Sequence, residues 1–286
     1  MAGPQAPATA AKAQGMPNQP PPNFWDPISY EHEEPTDECR RRVGCDIREI
    51  EFYRVPGVFI SADESDITKI HALILGPPGT PYEGGFFHFL MKCPPDYPIS
   101  PPRVRLMTTE AGRVRFGPSF YENGKVCLGL LGTSSAGPAW SSGQCLGSVL
   151  LSIKSLLTTE NPVAQGSALR VLPGLGSWLS GKICYNAVLQ HETIRVAVCD
   201  AVEDCLRGTS ACPPRLRDVI LKYFPQFYGE YEKAVKNRLH LTGSRMNDSN
   251  EAGVPAYQFD ALLERLVELR ERVKVANGAA AEKASK

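Results

Sequence analysis

Cys127 is the residue of this sequence best suited to covalent chemistry, because a thiolate attacks acyl carbons well and also leaves them well. It is one of nine cysteines and stands in the run Asn123-Gly124-Lys125-Val126-Cys127-Leu128. The run follows the proline-rich residues 93–102 and precedes Trp140. The commonest role of a free thiol is packing in a core. The chemistry to weigh against that role is acyl transfer from one thioester to another nucleophile.

The residues around Cys127 suggest how the chain would hold the thiol. Asn123-Gly124 favours positive backbone dihedral angles and predicts a tight turn just before the cysteine. Prolines stiffen the upstream segment because their φ angle is fixed. Side chains that we assign to the framework, and not to catalysis, are Tyr97, Pro98, Pro101, Pro102, Pro118 and Trp140.

Four ordered blocks carry a resemblance to a known family. They are Gly76 with residues 80–87, the proline-rich residues 93–102, the Cys127 run with Trp140, and residues 149–157 with Asn161-Pro162. In this order they resemble the ubiquitin-conjugating (UBC) enzymes. The resemblance implies that Cys127 accepts ubiquitin or a ubiquitin-like modifier from an activating enzyme as a thioester. The modifier then passes to a substrate lysine or to a ligase, and no cofactor is needed.

The sequence departs from the family pattern just before Cys127. The family carries His-Pro-Asn there, and the Asn amide supports the active-site loop and the tetrahedral intermediate. Here the aligned residues are Gly117-Pro118-Ser119, with Ser119 eight positions before Cys127. A serine hydroxyl donates one hydrogen bond but is shorter, and loss of such a donor costs about 3 kcal/mol in the barrier. Asn123 is a candidate to replace it in part.

A second departure follows Asn161-Pro162, where many relatives place an acidic or serine residue that orients the incoming lysine. The equivalents here are Val163 and Ala164. Both departures predict a Cys127 that can be charged but discharges slowly to lysine, so that a ligase or partner completes the site. The alternative is a catalytically weak UBC-fold module that binds ubiquitin or a ligase.

Further segments resemble the Z-type branch of the family: residues 71–74, 103–109, 120–127, 191–200 and 237–241. The resemblance covers about residues 24–275 and fails over 163–182. A divergent or misassembled coding segment would also explain why residues 163–182 do not resemble the family, and such a chain would fold poorly. The branch implies the alternative activating enzyme as donor, and a tandem ubiquitin-like modifier besides ubiquitin.

The elements that must position Cys127 follow from apolar spacing. A helix is predicted from Thr36, with Thr36 or Asp37 as N-cap, to near Pro56-Gly57. Short apolar runs between residues 58 and 107, separated by Gly and Pro, predict four antiparallel strands. Residues 146–157 return to helical spacing. This order predicts an α+β class, the UBC fold: an N-terminal helix, a four-stranded meander, an active-site loop and helices.

The first helix would dock the activating enzyme. Arg40, Arg41 and Arg42 form a basic cluster on it that would contact an acidic groove of that enzyme. Three charges on an exposed face are as often simply solvated.

The predicted domain organisation has four parts. Residues 1–35 are a Pro- and Ala-rich disordered tail, 36–200 the UBC core with 163–182 divergent, 201–275 a helical extension, and 276–286 a disordered tail. Helices are predicted at 187–206, 215–237 and 258–273. The last has an apolar stripe predicted to pack onto the body of the protein: Phe259, Leu262, Leu263, Leu266, Leu269 and Val273.

Composition limits the partners. Among 286 residues, Lys plus Arg and Asp plus Glu both number 31, so no basic field favours nucleic acid or an anionic membrane. The N-terminal residues lack the apolar core of a secretory signal, and no run reaches membrane-spanning length. The cysteines form no Cys-x-x-Cys pair, so no metal is expected. We therefore predict reduced thiols, a cytoplasmic and nuclear location, a monomer, and protein partners.

Overall fold

The computed structural model of the protein describes residues 23–158, 185–246 and 255–284. No helix within these ranges is both long and apolar enough to cross a bilayer. The principal elements in chain order are α1 (Asp37–Tyr53), β1 (Val58–Ala62), β2 (Lys69–Leu75), β3 (Phe86–Lys92), β4 (Arg103–Leu106), α2 (Leu146–Leu157), α3 (residues 185–207, π-helical over Thr193–Asp200), α4 (Pro214–Lys236) and α5 (Phe259–Ala284).

The four strands form an antiparallel meander in the order β1-β2-β3-β4, as the sequence predicts. Every residue of β3 is buried, although antiparallel sheets commonly leave one face to solvent. Helices α1 and α2 cover one face, which contributes Ile70, Phe89 and Val104 to their core. The other face contributes Leu73 and Phe86 to a second core with α3, α4 and α5.

The first helix confirms its predicted cap. Thr36 has extended backbone, and its hydroxyl accepts a hydrogen bond from the Cys39 N–H at 3.2 Å, which satisfies a donor that the first helical turn leaves free. The helix ends at Tyr53 because Arg54 adopts a left-handed conformation (φ 36°) and its N–H bonds to the Ile50 carbonyl. This end lies slightly before the predicted Pro56-Gly57.

The predicted N-terminal tail is too long. Residues 23–35 form a segment packed on β4, in which Trp25 is buried and Asp26 pairs with Arg105. Arg103 pairs with Glu33 at 2.6 Å and lies 3.8 Å over the Tyr30 ring. This order comes from aromatic and ionic contacts to distant residues, which apolar periodicity does not register. Residues 1–22 of the predicted tail lie outside the described residues.

The C-terminal boundaries also need correction. Helix α5 continues to Ala284, whereas the sequence interpretation ended it at residue 273 and made 276–286 a disordered tail. The added turns carry the run Ala279-Ala280-Ala281-Glu282-Lys283, whose residues have high intrinsic helix propensity. The predicted boundary after residue 200 falls inside the continuous helix α3. Residues 163–182 lie outside the described ranges.

The apolar stripe of α5 packs as predicted. Its members Phe259, Leu262, Leu266, Leu269 and Val273 are buried in the second core, and Leu263 is partly buried there. On the same side of the sheet, the Tyr231 hydroxyl of α4 donates to the Gly84 carbonyl at 2.7 Å. The C-terminal helices are therefore fixed to the β2–β3 connection as well as to the sheet.

A histidine pair makes stability depend on pH. His71 Nδ1 lies 2.9 Å from His88 Nε2; burial lowers the pKa of His71, and it lowers the pKa of His88 to about 3. His88 thus stays neutral in the folded protein well below pH 6.5 but takes up a proton near that pH when unfolded, and the lowered pKa of His71 acts in the same direction. We expect the free energy of unfolding to fall below pH 6.5, by about 1 kcal/mol for each pH unit from His88.

Urea unfolding midpoints from pH 7.5 to 5 measure this dependence. His88→Gln, which cannot take up a proton, is the matched variant and should show a flatter profile than the unsubstituted protein. Equal slopes for the two proteins would rule out His88 as the source.

Candidate active site

Cys127 lies on a short hairpin. Phe120 and Val126 pair in an antiparallel bridge, and the Cys127 N–H donates to the Ser119 carbonyl at 2.8 Å. Phe120 and Val126 are buried in the core between the sheet, α1 and α2. Because side chains alternate across a strand, Ser119 and Cys127 face outward, directly opposite each other.

The tip of this hairpin requires glycine. Gly124 has φ +89°, and a Cβ added there would lie 2.7 Å from the Leu106 carbonyl oxygen. The Leu106 N–H in turn donates to the Gly124 carbonyl at 2.8 Å. Strand β4 therefore holds the tip of the turn that leads into Cys127, in accord with the turn predicted at Asn123-Gly124.

The structure separates the two candidates for oxyanion support. The Asn123 side chain is exposed at the tip, where its oxygen accepts from the Lys125 N–H at 3.0 Å; it lies in the turn beyond the Tyr121–Lys125 backbone hydrogen bond, at the other end of the hairpin's paired residues from Cys127. Ser119 is the cross-strand neighbour of Cys127, with a Cβ–Cβ separation of about 5 Å expected for such a pair. Its hydroxyl bonds to no residue within the described ranges, so it is free to donate.

Thr133 fixes the backbone on both sides of the thiol. Its hydroxyl donates to the Val126 carbonyl at 2.5 Å and accepts from the Leu128 N–H at 3.0 Å. Its carbonyl oxygen lies 3.6 Å from the Cys127 sulfur. The N–H groups of Cys127 and Leu128 are both engaged, by the Ser119 carbonyl and the Thr133 hydroxyl, so neither is free to donate to an oxyanion. The sequence does not predict Thr133, because no local pattern marks a hydroxyl that bonds back across a loop.

Most other cysteines of the described ranges differ from Cys127 in burial; Cys145 and Cys205 are half-buried like it. Burial raises the pKa of the Cys39 thiol to about 11 and those of Cys199 and Cys212 to about 12. A raised pKa reduces the thiolate population and with it the reactivity. Cys127 is half-buried on the outer face of its hairpin, whereas Cys45 is exposed on α1. Cys184 lies outside the described residues.

Two of the predicted framework residues, Tyr97 and Trp140, lie beside a buried acid, Asp46. Asp46 is 3% exposed and accepts from the Tyr97 hydroxyl, from Arg42 at 2.9 Å and from the Leu146 N–H at 3.0 Å. It thereby caps α2, whose own N-cap residue, Cys145, makes no side-chain capping hydrogen bond. Trp140 lies 5.9 Å from the Tyr97 ring, and its indole N–H donates to the Pro98 carbonyl at 2.9 Å.

The remaining framework prolines lie in two places. Pro101 is half-buried and Pro102 buried just before β4. The Pro118 carbonyl accepts from Arg115 at 3.5 Å, next to the hairpin.

The predicted arginine cluster divides. Arg40 and Arg41 are exposed on α1. Arg42 turns inward instead, where it pairs with Asp46 and donates to the Gln144 carbonyl at 2.6 Å. Arg42 therefore joins α1 to the loop before α2, and the surface of the cluster that is open to a partner consists of Arg40 and Arg41.

Helix α3 braces the segment that leads into the hairpin. Arg195 of α3 binds Glu110 through two hydrogen bonds of 2.8 and 2.6 Å and also binds Glu192. Arg195 holds the pKa of Glu110 below its usual value. A cavity of about 680 Å³ lies beside these residues, lined also by His191 and Arg115; Cys127 does not line it. Nowhere in the described ranges do three or more His, Cys, Asp or Glu side chains form a metal-binding group.

Comparisons with known proteins show which sequences and structures the chain resembles. Residues 45–169 match the family model described as "Ubiquitin-conjugating enzyme". "Ubiquitin-conjugating enzyme E2 Z" of Xenopus tropicalis is 46% identical over 255 residues, which span 88% of this chain and 78% of that protein. The Homo sapiens protein of the same name is 47% identical over 254 residues, spanning 88% and 69%. The solved E2 domain of a Toxoplasma gondii ubiquitin conjugating enzyme is 26% identical with a TM-score of 0.43, covering 55% of this chain and 98% of that chain.

Proposed function

This chain belongs to the ubiquitin-conjugating enzyme family, and from that premise we propose that Cys127 carries ubiquitin or a ubiquitin-like modifier as a thioester and passes it to a lysine or to a ligase cysteine. The family implies ubiquitin, an activating enzyme and a ligase as partners, and the chain has its α+β UBC fold with a helical C-terminal part. The main support is the position of Cys127, on the outer face of a hairpin whose backbone is fixed from both sides.

The proposed reaction has two acyl transfers. The Cys127 thiolate attacks the thioester carbonyl carbon on the activating enzyme; a new C–S bond forms, and the thiolate of the activating enzyme leaves and takes up a proton. A neutral lysine amine then attacks the same carbon, a C–N bond forms and the C–S bond breaks; the nitrogen gives up one proton, which the departing Cys127 thiolate or solvent takes up, and an amide results. ATP is consumed earlier by the activating enzyme, so this chain needs no cofactor for either transfer.

The similarity to the E2 Z proteins, together with the branch motifs, supports a narrower choice of partners. We propose that the alternative ubiquitin-activating enzyme is the donor, and that a tandem ubiquitin-like modifier is carried besides ubiquitin. The exposed Arg40 and Arg41 of α1 are the proposed contacts to the activating enzyme. We also propose a monomer that acts in the cytoplasm and nucleus.

A charging assay tests the proposal. Purified protein is mixed with ATP, ubiquitin and each of the two ubiquitin-activating enzymes in parallel, and the products are separated on a non-reducing gel. We expect an adduct that thiol reagents remove, that requires ATP, and that forms faster with the alternative activating enzyme. The absence of an adduct with either enzyme would favour the second candidate function, a UBC-fold module that binds ubiquitin or a ligase without transfer.

Ser119→Asn should speed discharge of the thioester. The position faces Cys127 across the hairpin, and the longer amide would supply the donor that a serine places less well. Because one oxyanion donor is worth about 10²–10³ in rate, we expect at least about a tenfold gain in single-turnover discharge to lysine, with charging unchanged. Asn123→Asp is the matched control, since it keeps the oxygen that accepts from Lys125 and should leave discharge as it was. If Ser119→Asn gave no faster discharge, Ser119 would not be the cause of the slow transfer to lysine.

A further inference from the structure

Strand β1 is one of the two edge strands of the sheet. At the other edge, β4 bonds to the tip of the Cys127 hairpin, where the Leu106 N–H donates to the Gly124 carbonyl. Within the described ranges β1 pairs with β2 alone. An edge strand presents a row of N–H and C=O groups that can pair with another chain.

The hydrogen-bond pattern shows which backbone groups of β1 face this edge. The Leu75 N–H of β2 donates to the Gly57 carbonyl at 2.8 Å. In an antiparallel pair, bonded and non-bonded residues alternate along the strand. Phe59, two positions after Gly57, therefore bonds to β2, whereas the N–H and C=O groups of Val58 and Ile60 point away from β2.

Most of these edge groups have no partner among the described residues. The Val58 N–H donates to the Val55 carbonyl at 3.1 Å, but no described residue bonds to the Val58 carbonyl or to the Ile60 N–H and carbonyl. Ile60 is only 5% exposed. A buried backbone group without a partner is rare in folded proteins and costs free energy. Water or a ligand must therefore lie beside the strand.

A cavity of about 540 Å³ lies along this edge, with residues 58–60 as its floor. Its walls are apolar: Ile50 and Val55 belong to the first core, and Val219 and Tyr223 of α4 belong to the second. We call this cavity the β1 groove. Its volume falls in the range of about 300–1,000 Å³ that is usual for ligand sites.

The surroundings of the β1 groove favour a partner protein as its occupant. Glu51 and Arg54 line the groove at the end of α1, and the two residues between them, Phe52 and Tyr53, are 80% and 72% exposed. Aromatic side chains are enriched where proteins contact one another. A second copy of this chain fits less well, because its own β1 is recessed between the same two helices and cannot reach the groove edge to edge.

We propose that the β1 groove binds an extended segment of a partner protein, which adds to the sheet as a strand beside β1. Strand β1 has five residues, so a segment of about four to five residues covers it. Side chains of an added strand alternate between the two walls, and both walls are apolar. The segment therefore carries successive apolar residues, as do strands that are buried on both faces.

Charges at the mouth of the β1 groove favour an acidic residue next to this apolar run. Glu51 and Arg215 form a 3.0 Å ion pair that joins α1 to α4, with 44% and 65% of their side chains exposed. Arg54 also lines the groove and forms no ion pair within the described ranges. One positive charge is thus left for a carboxylate of the partner. Because an exposed ion pair contributes little, the Glu51–Arg215 pair can open to admit the segment.

Fluorescence anisotropy with synthetic peptides tests the inference. The probes are two labelled peptides with blocked ends that contain the run Val-Ile-Val-Tyr, with Asp before the run in one and after it in the other, to cover both strand directions. We expect saturable binding of at least one. Its binding should weaken when Asp is replaced by Asn and when salt is added.

Two measurements on the bound peptide test strand addition itself. N-methylation of every second amide should abolish binding in one of the two possible series and spare the other, because only alternate amides face β1. With peptide at about ten times its Kd, the Ile60 amide should exchange its hydrogen about tenfold more slowly, since only the free protein leaves it unpaired. The Phe59 amide, already bonded to β2, should not change.

Variants of Arg215 provide the matched set. Arg215→Glu should weaken binding of the Asp peptide by about fivefold, whereas Arg215→Lys keeps the charge and should bind it like the unsubstituted protein. Neither Cys127 nor its hairpin lines the β1 groove, so both variants should be charged with ubiquitin at the normal rate. The inference does not depend on the thioester, and a failure of charging would leave it standing.

Three results would overturn the inference. One is the absence of saturable binding by both peptides. Another is equal binding by the two N-methyl series, which would place the peptide elsewhere than on the strand edge. The third is protection of the Ile60 amide without peptide: protection that grows with protein concentration would assign the edge to a second copy, and constant protection would show that the chain closes its own edge.

Discussion

Cys127→Ala is expected to abolish the thiol-sensitive adduct with ubiquitin and to slow transfer by more than about 10³-fold, the scale seen when an enzyme loses its nucleophile. Cys127→Ser should instead trap the modifier as an ester that thiol reagents do not cleave, because its alkoxide is a poorer leaving group than a thiolate. Reducing and non-reducing gels distinguish the thioester of the unsubstituted protein from the ester of Cys127→Ser and from the absence of an adduct in Cys127→Ala. Cys127 is half-buried on a surface hairpin, so the free energy of unfolding of either variant should differ from that of the unsubstituted protein by less than about 1 kcal/mol.

Cys45→Ser is the matched control for this prediction. Cys45 is the exposed cysteine of α1 and, within the described ranges, would be the most accessible thiol for a non-specific adduct. We expect Cys45→Ser to charge and discharge like the unsubstituted protein. An adduct that survives in Cys127→Ala and disappears in Cys45→Ser would reverse the assignment of the nucleophile.

Asp46→Ala should cause the largest loss of stability, about 3–5 kcal/mol, because it leaves buried donors without an acceptor. The Tyr97 hydroxyl and the Leu146 N–H would lose their partner inside the core, and Arg42 would lose its ion pair. Asp46→Asn keeps an acceptor oxygen but not the charge. Its stability should therefore lie between those of Asp46→Ala and the unsubstituted protein. Urea titration followed by tryptophan fluorescence, with Trp140 close to the network, measures the midpoint.

The control for Asp46 is Glu51 on the same helix, an acid in an exposed ion pair with α4. Glu51 pairs with Arg215 at 3.0 Å, with both side chains largely in solvent, so Glu51→Ala should change stability by less than about 1 kcal/mol. An Asp46→Ala protein as stable as the Glu51→Ala protein would show that the buried network contributes little. Unchanged charging by folded Asp46→Asn would confirm that Asp46 supports the fold and not the chemistry.

The sequence predicts the parts of this molecule that local pattern determines. Apolar spacing and a Thr cap place α1, and short runs between Gly and Pro place the four strands. The Asn123-Gly124 turn predicts the hairpin that presents Cys127, and Gly124 does require its left-handed backbone. The assignment of Cys127 as nucleophile rests on the family resemblance, and no pattern of burial in the sequence would have selected it from nine cysteines.

The missed residues act through contacts between distant parts of the chain. Asp46 shares the buried face of α1 with Cys39 and Val43. A carboxylate on an apolar helix face is a signal that the sequence contains. The partners of that carboxylate, however, cannot be identified from the sequence. Trp25 and Asp26 lie in a Pro-rich stretch whose order depends on Arg105. Thr133 bonds across a loop to the peptide groups beside Cys127. In each case the partner is fixed by the tertiary fold.

The Asp46 network has a consequence for how the chain is made. Its donors Tyr97 and Leu146 follow Asp46 by 51 and 100 residues. At a synthesis rate of about 5–20 residues per second, Leu146 is added about 5–20 s after Asp46. During this interval α1 carries an acid on its buried face that its final partners cannot yet satisfy, so the helix cannot dock in its native form. A nascent chain that stalls before residue 146 would therefore remain recognisable to chaperones as unfinished.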